Sequence, residues 1–184
     1  QDEMMLIVDV GTNAEIVLGN WSRCVAASSP TGPAFEGAEI SCGQRAAPGA
    51  IERVRIDPET LEPRYRVIGI DQWSDEPGFA EASQKLGVSG VCGSGIIEVV
   101  AEMYLAGIIS EDGVIDGSLA EKNPRIVAEG RTFSYVLKET APRLTITQND
   151  IRAIQLAKAA LYAGIKLLMD KQGIAQVDRI GFAG

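Results

Sequence analysis

The sequence predicts an α/β layer fold, a mixed sheet with helices packed on it. Three observations carry this. The first thirty residues hold closely spaced apolar runs of strand length. A glycine-opened apolar helix follows in the middle of the chain. A long amphipathic helix near the end runs into one more apolar strand.

Residues 4–10 read as a buried strand, residues 15–19 as its hairpin partner and residues 23–27 as a third strand of the same meander. Ser28-Ser29-Pro30-Thr31-Gly32-Pro33 is a loop, with Pro33 placed as the first residue of a short helix that turns Ala34, Phe35, Ala38 and Ile40 inward. Residues 51–56 and 65–70 flank a polar tip, Asp57 through Pro63, and predict a β-hairpin. Residues 71–86 are irregular, a loop with room for a short helix, because Trp73 and Phe79 sit among acidic residues and Pro77-Gly78. Gly93-Ser94-Gly95 opens a helix through Ile96, Ile97, Val99, Val100, Met103 and Leu105 that ends near Gly107. Residues 125–127, 133–137 and 144–146 are short strands. Thr147-Gln148-Asn149-Asp150 has the Thr-x-x-Asp form of an N-cap. Ile151, Ile154, Leu156, Ala157, Leu161, Ile165 and Leu168 follow at helical spacing, and Gly173 closes the helix.

Composition narrows the function classes. Of 184 residues 46% are hydrophobic and 23% charged, the balance of a globular protein rather than a disordered one. The net charge of −8 argues against a nucleic-acid surface and against docking on anionic lipid. No run approaches the length of a membrane span, and the acidic start Gln1-Asp2-Glu3 is unlike a secretory signal. Cys24, Cys42 and Cys92 are widely spaced and fit no zinc or iron–sulfur pattern. They read as reduced, small buried residues of a cytoplasmic protein. The absence of histidine excludes His-based triads and general bases, leaving carboxylates, backbone amides and a bound metal for any chemistry. The chain starts without Met and ends as a strand enters a glycine turn, which suggests a piece of a larger protein.

The leading chemical candidate is the first turn. Leu6-Ile7-Val8 delivers Asp9 to a strand end, and Gly11, Thr12 and Asn13 offer backbone and side-chain donors to an anion, with Gly11 free to take φ > 0. Phosphate with a hydrated divalent cation suits this, since Mg²⁺ keeps waters and takes only one or two carboxylates. Asp9 would hold Mg²⁺ through water or orient a hydrolytic water, with Glu15 as a weaker second carboxylate. An ordinary hairpin turn uses the same residue types. Gly32 and Pro33 through Gly37 place free N–H groups at a helix start, as do Gly93, Ser94 and Gly95. Helix capping and close packing explain such glycines equally well. Three glycine turns, at Gly11, Gly32 and Gly93/Gly95, are placed to face one cleft, and a fourth begins at Gly181 and Gly184.

Together the turns are more specific than any one. Asp9-Val10-Gly11-Thr12-Asn13-Ala14-Glu15 resembles the second phosphate motif of the acetate and sugar kinase/Hsp70/actin superfamily. With Thr31-Gly32-Pro33-Ala34-Phe35-Glu36-Gly37, Gly43-Gln44-Arg45-Ala46-Ala47-Pro48-Gly49, Val91-Cys92-Gly93-Ser94-Gly95-Ile96-Ile97-Glu98 and Thr147-Gln148-Asn149-Asp150, the chain resembles the C-terminal actin-like domain of the ATP-dependent reductive activators of corrinoid proteins, a ferredoxin-like family. That resemblance implies a ribonuclease-H-like, actin-like ATPase lobe over residues 1–184, the second lobe of a nucleotide domain. It implies ATP with Mg²⁺ as ligand, and a corrinoid protein as partner whose Co(II) is returned to Co(I). Asp9, Gly11, Thr12 and Asn13 would meet the β/γ phosphates, Gly32 would lie near the nucleotide, and Gly181 and Gly184 would begin the adenosine side. ATPase activity is expected only within the full-length protein. The electron-supplying [2Fe-2S] centre and the first Asp-x-Gly-Thr segment are expected outside this chain, which has no plant-type cysteine cluster. The 71–86 region looks longer than the family requires. Two other readings stand beside it. One is an interaction or homodimerisation module using the long helix from Thr147 and the Trp73/Phe79 loop. The other is a small-molecule kinase of the same superfamily.

Overall fold

A computed structural model describes residues 3–11 and 13–184. Thr12, one of the phosphate-turn residues named above, lies outside the described residues. The chain forms two compact units, one of residues up to Phe35 with Gln155–Gly184, the other Glu36–Ile154.

In the first unit β1 (Met5–Val10), β2 (Ala14–Gly19) and β3 (Cys24–Ser29) form an antiparallel meander, and β10 (Arg179–Ala183) adds parallel to β1, giving the order β10-β1-β2-β3. The period-2 alternation sets the faces. Leu6 and Val8 of β1 and Ile16 and Leu18 of β2 point to one side and are buried. Helix α3 (Gln148–Gln172) covers that side with Leu161, Ile165, Leu168 and Met169. Each such aliphatic side chain, once fully buried, contributes about 1.5–3 kcal/mol. Close approach of α3 needs Gly164: a Cβ there would stand 2.8 Å from Ile16 Cδ1 and 2.9 Å from Ser29 Cβ.

The second unit holds two small sheets. In one, β4 (Ala50–Ile56) pairs antiparallel with β5 (Pro63–Val67) and, through Ala50 and Ile51 only, parallel with β6 (Gly90–Val91). Helix α2 (Gly93–Leu105) packs Ile96, Val99 and Met103 inward. In the other, β7 (Ile126–Glu129), β8 (Thr132–Lys138) and β9 (Leu144–Thr147) make a meander. The 57–62 tip is strapped to it: Tyr135 Oη donates to Leu61 O at 2.9 Å, and Arg125 pairs with Glu62.

Several expectations change. Residues 33–36 form a 3₁₀ turn, Pro33–Glu36, that stops before Gly37 at φ 84°, so Ala34 is buried but Ala38 faces solvent. Residues 71–86 do hold the short helix the sequence left room for, α1 (Phe79–Leu86). Phe79 is buried edge-on against Tyr65, 5.7 Å between centroids, so it is core and offers no partner surface. Cys24 is exposed, not buried, while Cys92 is buried as expected.

Candidate functional site

In the first unit the carboxyl ends of β1, β3 and β10 meet at one rim, since β2 returns antiparallel between β1 and β3. Asp9 is the last outward-facing residue of β1, exposed because it alternates with buried Val8. It stands between Ala183 of β10 and Glu15 of β2 in the ladder. Among the described residues its carboxylate has no hydrogen bond or ion pair, while Glu15 has one long contact, from Ser28 Oγ at 3.5 Å. Two carboxylates opposite one another repel and favour a cation between or beside them.

Gly11 bends back through its N–H to Asn13 O at 3.1 Å, and its carbonyl accepts Thr31 Oγ1 at 3.1 Å. Its φ is not in the left-handed region, contrary to the use expected for it, and a Cβ there would meet nothing closer than Asn13 O at 3.4 Å. The local backbone therefore does not require glycine at 11. Gly32 does take the left-handed conformation, φ 73°, directly before Pro33. Thr31 ties that loop to the first turn, a link local sequence could not show.

Gly184 closes the rim. At φ 113° its backbone lies on Val10, and a Cβ would stand 2.2 Å from Val10 O, so only glycine fits. Gly181 has no such need: the nearest atom to a Cβ is Ile7 Cγ1 at 3.9 Å. Asp9, Gly11, Asn13, Gly32, Pro33, Gly181 and Gly184 thus belong to the first unit, and Gly37, Gly93, Ser94 and Gly95 to the second.

In the second unit the glycines have packing roles. Gly95 seats α2 on β4, for a Cβ would lie 2.4 Å from Ile51 O. Gly37 crosses Gly43 so closely that a Cβ on Gly43 would lie 1.8 Å from Gly37 O. Gly93 and exposed Ser94 begin a helix whose first amides receive no side-chain cap from Cys92, an uncapped turn open to an acceptor. Asp150 closes the reciprocal capping box: it accepts the Thr147 N–H at 2.8 Å, while its own N–H donates to Thr147 Oγ1 at 3.1 Å. It also takes the amide and hydroxyl of Ser41 at 2.8 and 2.7 Å. Burial first and this carboxylate second push the Cys42 thiol up to about 12, which removes it as a nucleophile at neutral pH. No group of three or more Cys, Asp or Glu side chains among the described residues is arranged to hold a metal unaided. No described helix is long and apolar enough to cross a membrane.

A mixed sheet in the order β10-β1-β2-β3 under a long helix, with glycine turns at its strand ends, is the actin-like α/β architecture. The chain belongs to the family of the C-terminal domain of RACo, the ASKHA domain, whose model matches residues 3–184. It is 36% identical over 194 residues to the corrinoid activation enzyme RamQ of Eubacterium limosum, covering 99% of this chain and 30% of that one. It is 29% identical over 187 residues to a [Co(II) methylated amine-specific corrinoid protein] reductase of Methanosarcina barkeri, covering 97% and 31%. A solved reductive activator for corrinoid, iron-sulfur protein superposes with a TM-score of 0.81 at 34% identity, covering 100% of this chain and 28% of that one. The chain therefore spans about a third of the length of these relatives.

Proposed function

We propose that this chain is the second lobe of an actin-like nucleotide domain in an ATP-dependent reductive activator of a corrinoid protein. The observation that carries it is the uncommitted Asp9 carboxylate at a glycine rim, where Gly184 lies against Val10 and Thr31 reaches Gly11. The names of the relatives give the corrinoid reading its direction.

In this reading the turn at Gly11 takes the β/γ phosphates of ATP, and Asn13 offers donors to them. Asp9, with Glu15 opposite, holds Mg²⁺ through water. The fit is good, because two neighbouring exposed carboxylates without a third ligand suit an ion that keeps most of its waters. Gly32 and Pro33 line the nucleotide, and residues 181–184 begin the adenosine side. Hydrolysis of the phosphoanhydride changes domain closure and partner docking, and so drives return of Co(II) to Co(I). The electron comes from a [2Fe-2S] centre elsewhere in the whole protein. The exposed Leu156, Tyr162 and Leu167 of α3 favour a second role for the lobe, contact with a partner or with a second copy.

The test follows Co(I) formation spectroscopically when full-length protein, reductant and a Co(II) corrinoid protein are mixed with and without Mg-ATP. ATP-dependent Co(I) formation that Asp9→Ala abolishes supports the reading. Formation independent of ATP, or unchanged in the variant, refutes it.

A further inference from the structure

The β4–β5 hairpin breaks a rule of sheet design. Arg53 stands directly opposite Arg66 and Arg55 directly opposite Arg64, so four arginines share one face of a two-stranded ladder. Like charges at directly opposed positions cost stability, and the chain as a whole is acidic, at −8. Where a sequence violates a local rule and the fold persists, function is the expected reason.

The neutralisation is partial. Glu98 takes Arg53 Nε at 3.1 Å and Arg55 Nη1 at 2.8 Å, Glu102 is 3.8 Å from Arg55, and Asp75 is 3.9 Å from Arg64. Trp73 stacks under the Arg64 guanidinium at 4.8 Å, fixing its plane. Among the described residues Arg66 receives no carboxylate, and its buried Nε has no hydrogen-bond partner. The side chains of Arg53 and Arg64 are each 51% exposed. Other nearby carboxylates are committed elsewhere: Glu62 to Arg125, and Asp57 to the amides of Glu59 and Thr60.

We infer that this arginine ladder is a docking face for an acidic surface of a partner protein. Guanidinium groups on opposed positions of two strands match spaced carboxylates, each able to take a two-point Arg contact. Nucleic acid fits less well, since a continuous phosphate backbone would meet Glu98, Glu102 and Asp75 within the same face.

The experiment is fluorescence anisotropy of a short fluorescein-labelled polyglutamate titrated with the protein at low salt, with oligothymidylate as a parallel probe. The wild-type protein binds polyglutamate, and added salt weakens it. R53Q/R66Q loses about tenfold in affinity, whereas K158Q on α3 leaves it unchanged. Should R53Q/R66Q fail to fold by circular dichroism, R64Q replaces it and gives a smaller loss in the same direction. Absent polyglutamate binding, equal binding by the arginine variants, or tighter binding of oligothymidylate each overturns the assignment.

Discussion

Glu98 Oε2 accepts the Val54 N–H at 2.6 Å, in the place where a neighbouring strand would stand. One turn on, Glu102 Oε2 accepts the Ile56 N–H at 3.0 Å, and Arg55 returns a donor to the Val54 carbonyl. Because β6 covers only Ala50 and Ile51, these side chains complete the exposed edge of β4 and clamp α2 to it.

Burial is the largest single influence on the Glu98 carboxyl and works against its ionisation. Arg55, the Val54 amide and Arg53 outweigh it and hold the group below its usual range. The sign follows: stability from Glu98 is full above the unfolded carboxyl value of about 4.3 and fades as pH falls through the lower folded value. Urea denaturation of wild type and E98Q will show a gap that is constant from neutral pH down to about 5 and shrinks in stronger acid. E98A, which strands the Val54 amide, costs about 1–3 kcal/mol at neutral pH.

Asp150 serves two partners far apart in sequence, the Thr147 cap and the Ser41 loop. D150A removes a buried acceptor from three donors, two on exposed Ser41 and one on half-buried Thr147, and urea titration should show a loss of about 1–2 kcal/mol. D150N keeps one acceptor and loses less.

Two glycines separate packing from binding. G95A drives a Cβ into the Ile51 carbonyl and should lower the thermal midpoint by many degrees, or prevent folding. G11A meets nothing closer than Asn13 O at 3.4 Å and should stay within about 0.5 kcal/mol of wild type by urea titration. In the full-length protein the same G11A should weaken Mg-ATP binding, because the methyl group enters the space assigned to phosphate.

The thiols differ in the same way. A disulfide reagent at pH 8 should modify Cys24 at once, and leave Cys42 and Cys92 protected until the protein unfolds.

Much of this was legible in the sequence. The apolar runs Leu6-Ile7-Val8 and Ile16-Val17-Leu18 marked the first two strands, though uniformly apolar runs do not show which face is buried, and Thr147 with Asp150 marked the start of α3. Other features carry no local signal. Strand β6 is two residues long, too short for any period. Helix α1 lies in an acidic stretch after Pro77-Gly78, where only its buried Phe79 faces the core. A helix glutamate such as Glu98 reads as solvated until β4 is set beside it. Gly43 and Gly164 look like any glycine until the second backbone arrives. At the candidate site Asp9 and Gly11 stood out by their turn, whereas Thr31 meets Gly11 only through the folded meander.

Nucleotide binding at the rim around Asp9 is the proposal on which the function turns. Calorimetric titration of Mg-ATP and Mg-ADP into the full-length protein, beside D9A, tests it most directly. Micromolar binding that D9A removes while the protein stays folded is the expected result. No binding to the folded wild-type protein, or binding that D9A leaves intact, would contradict it.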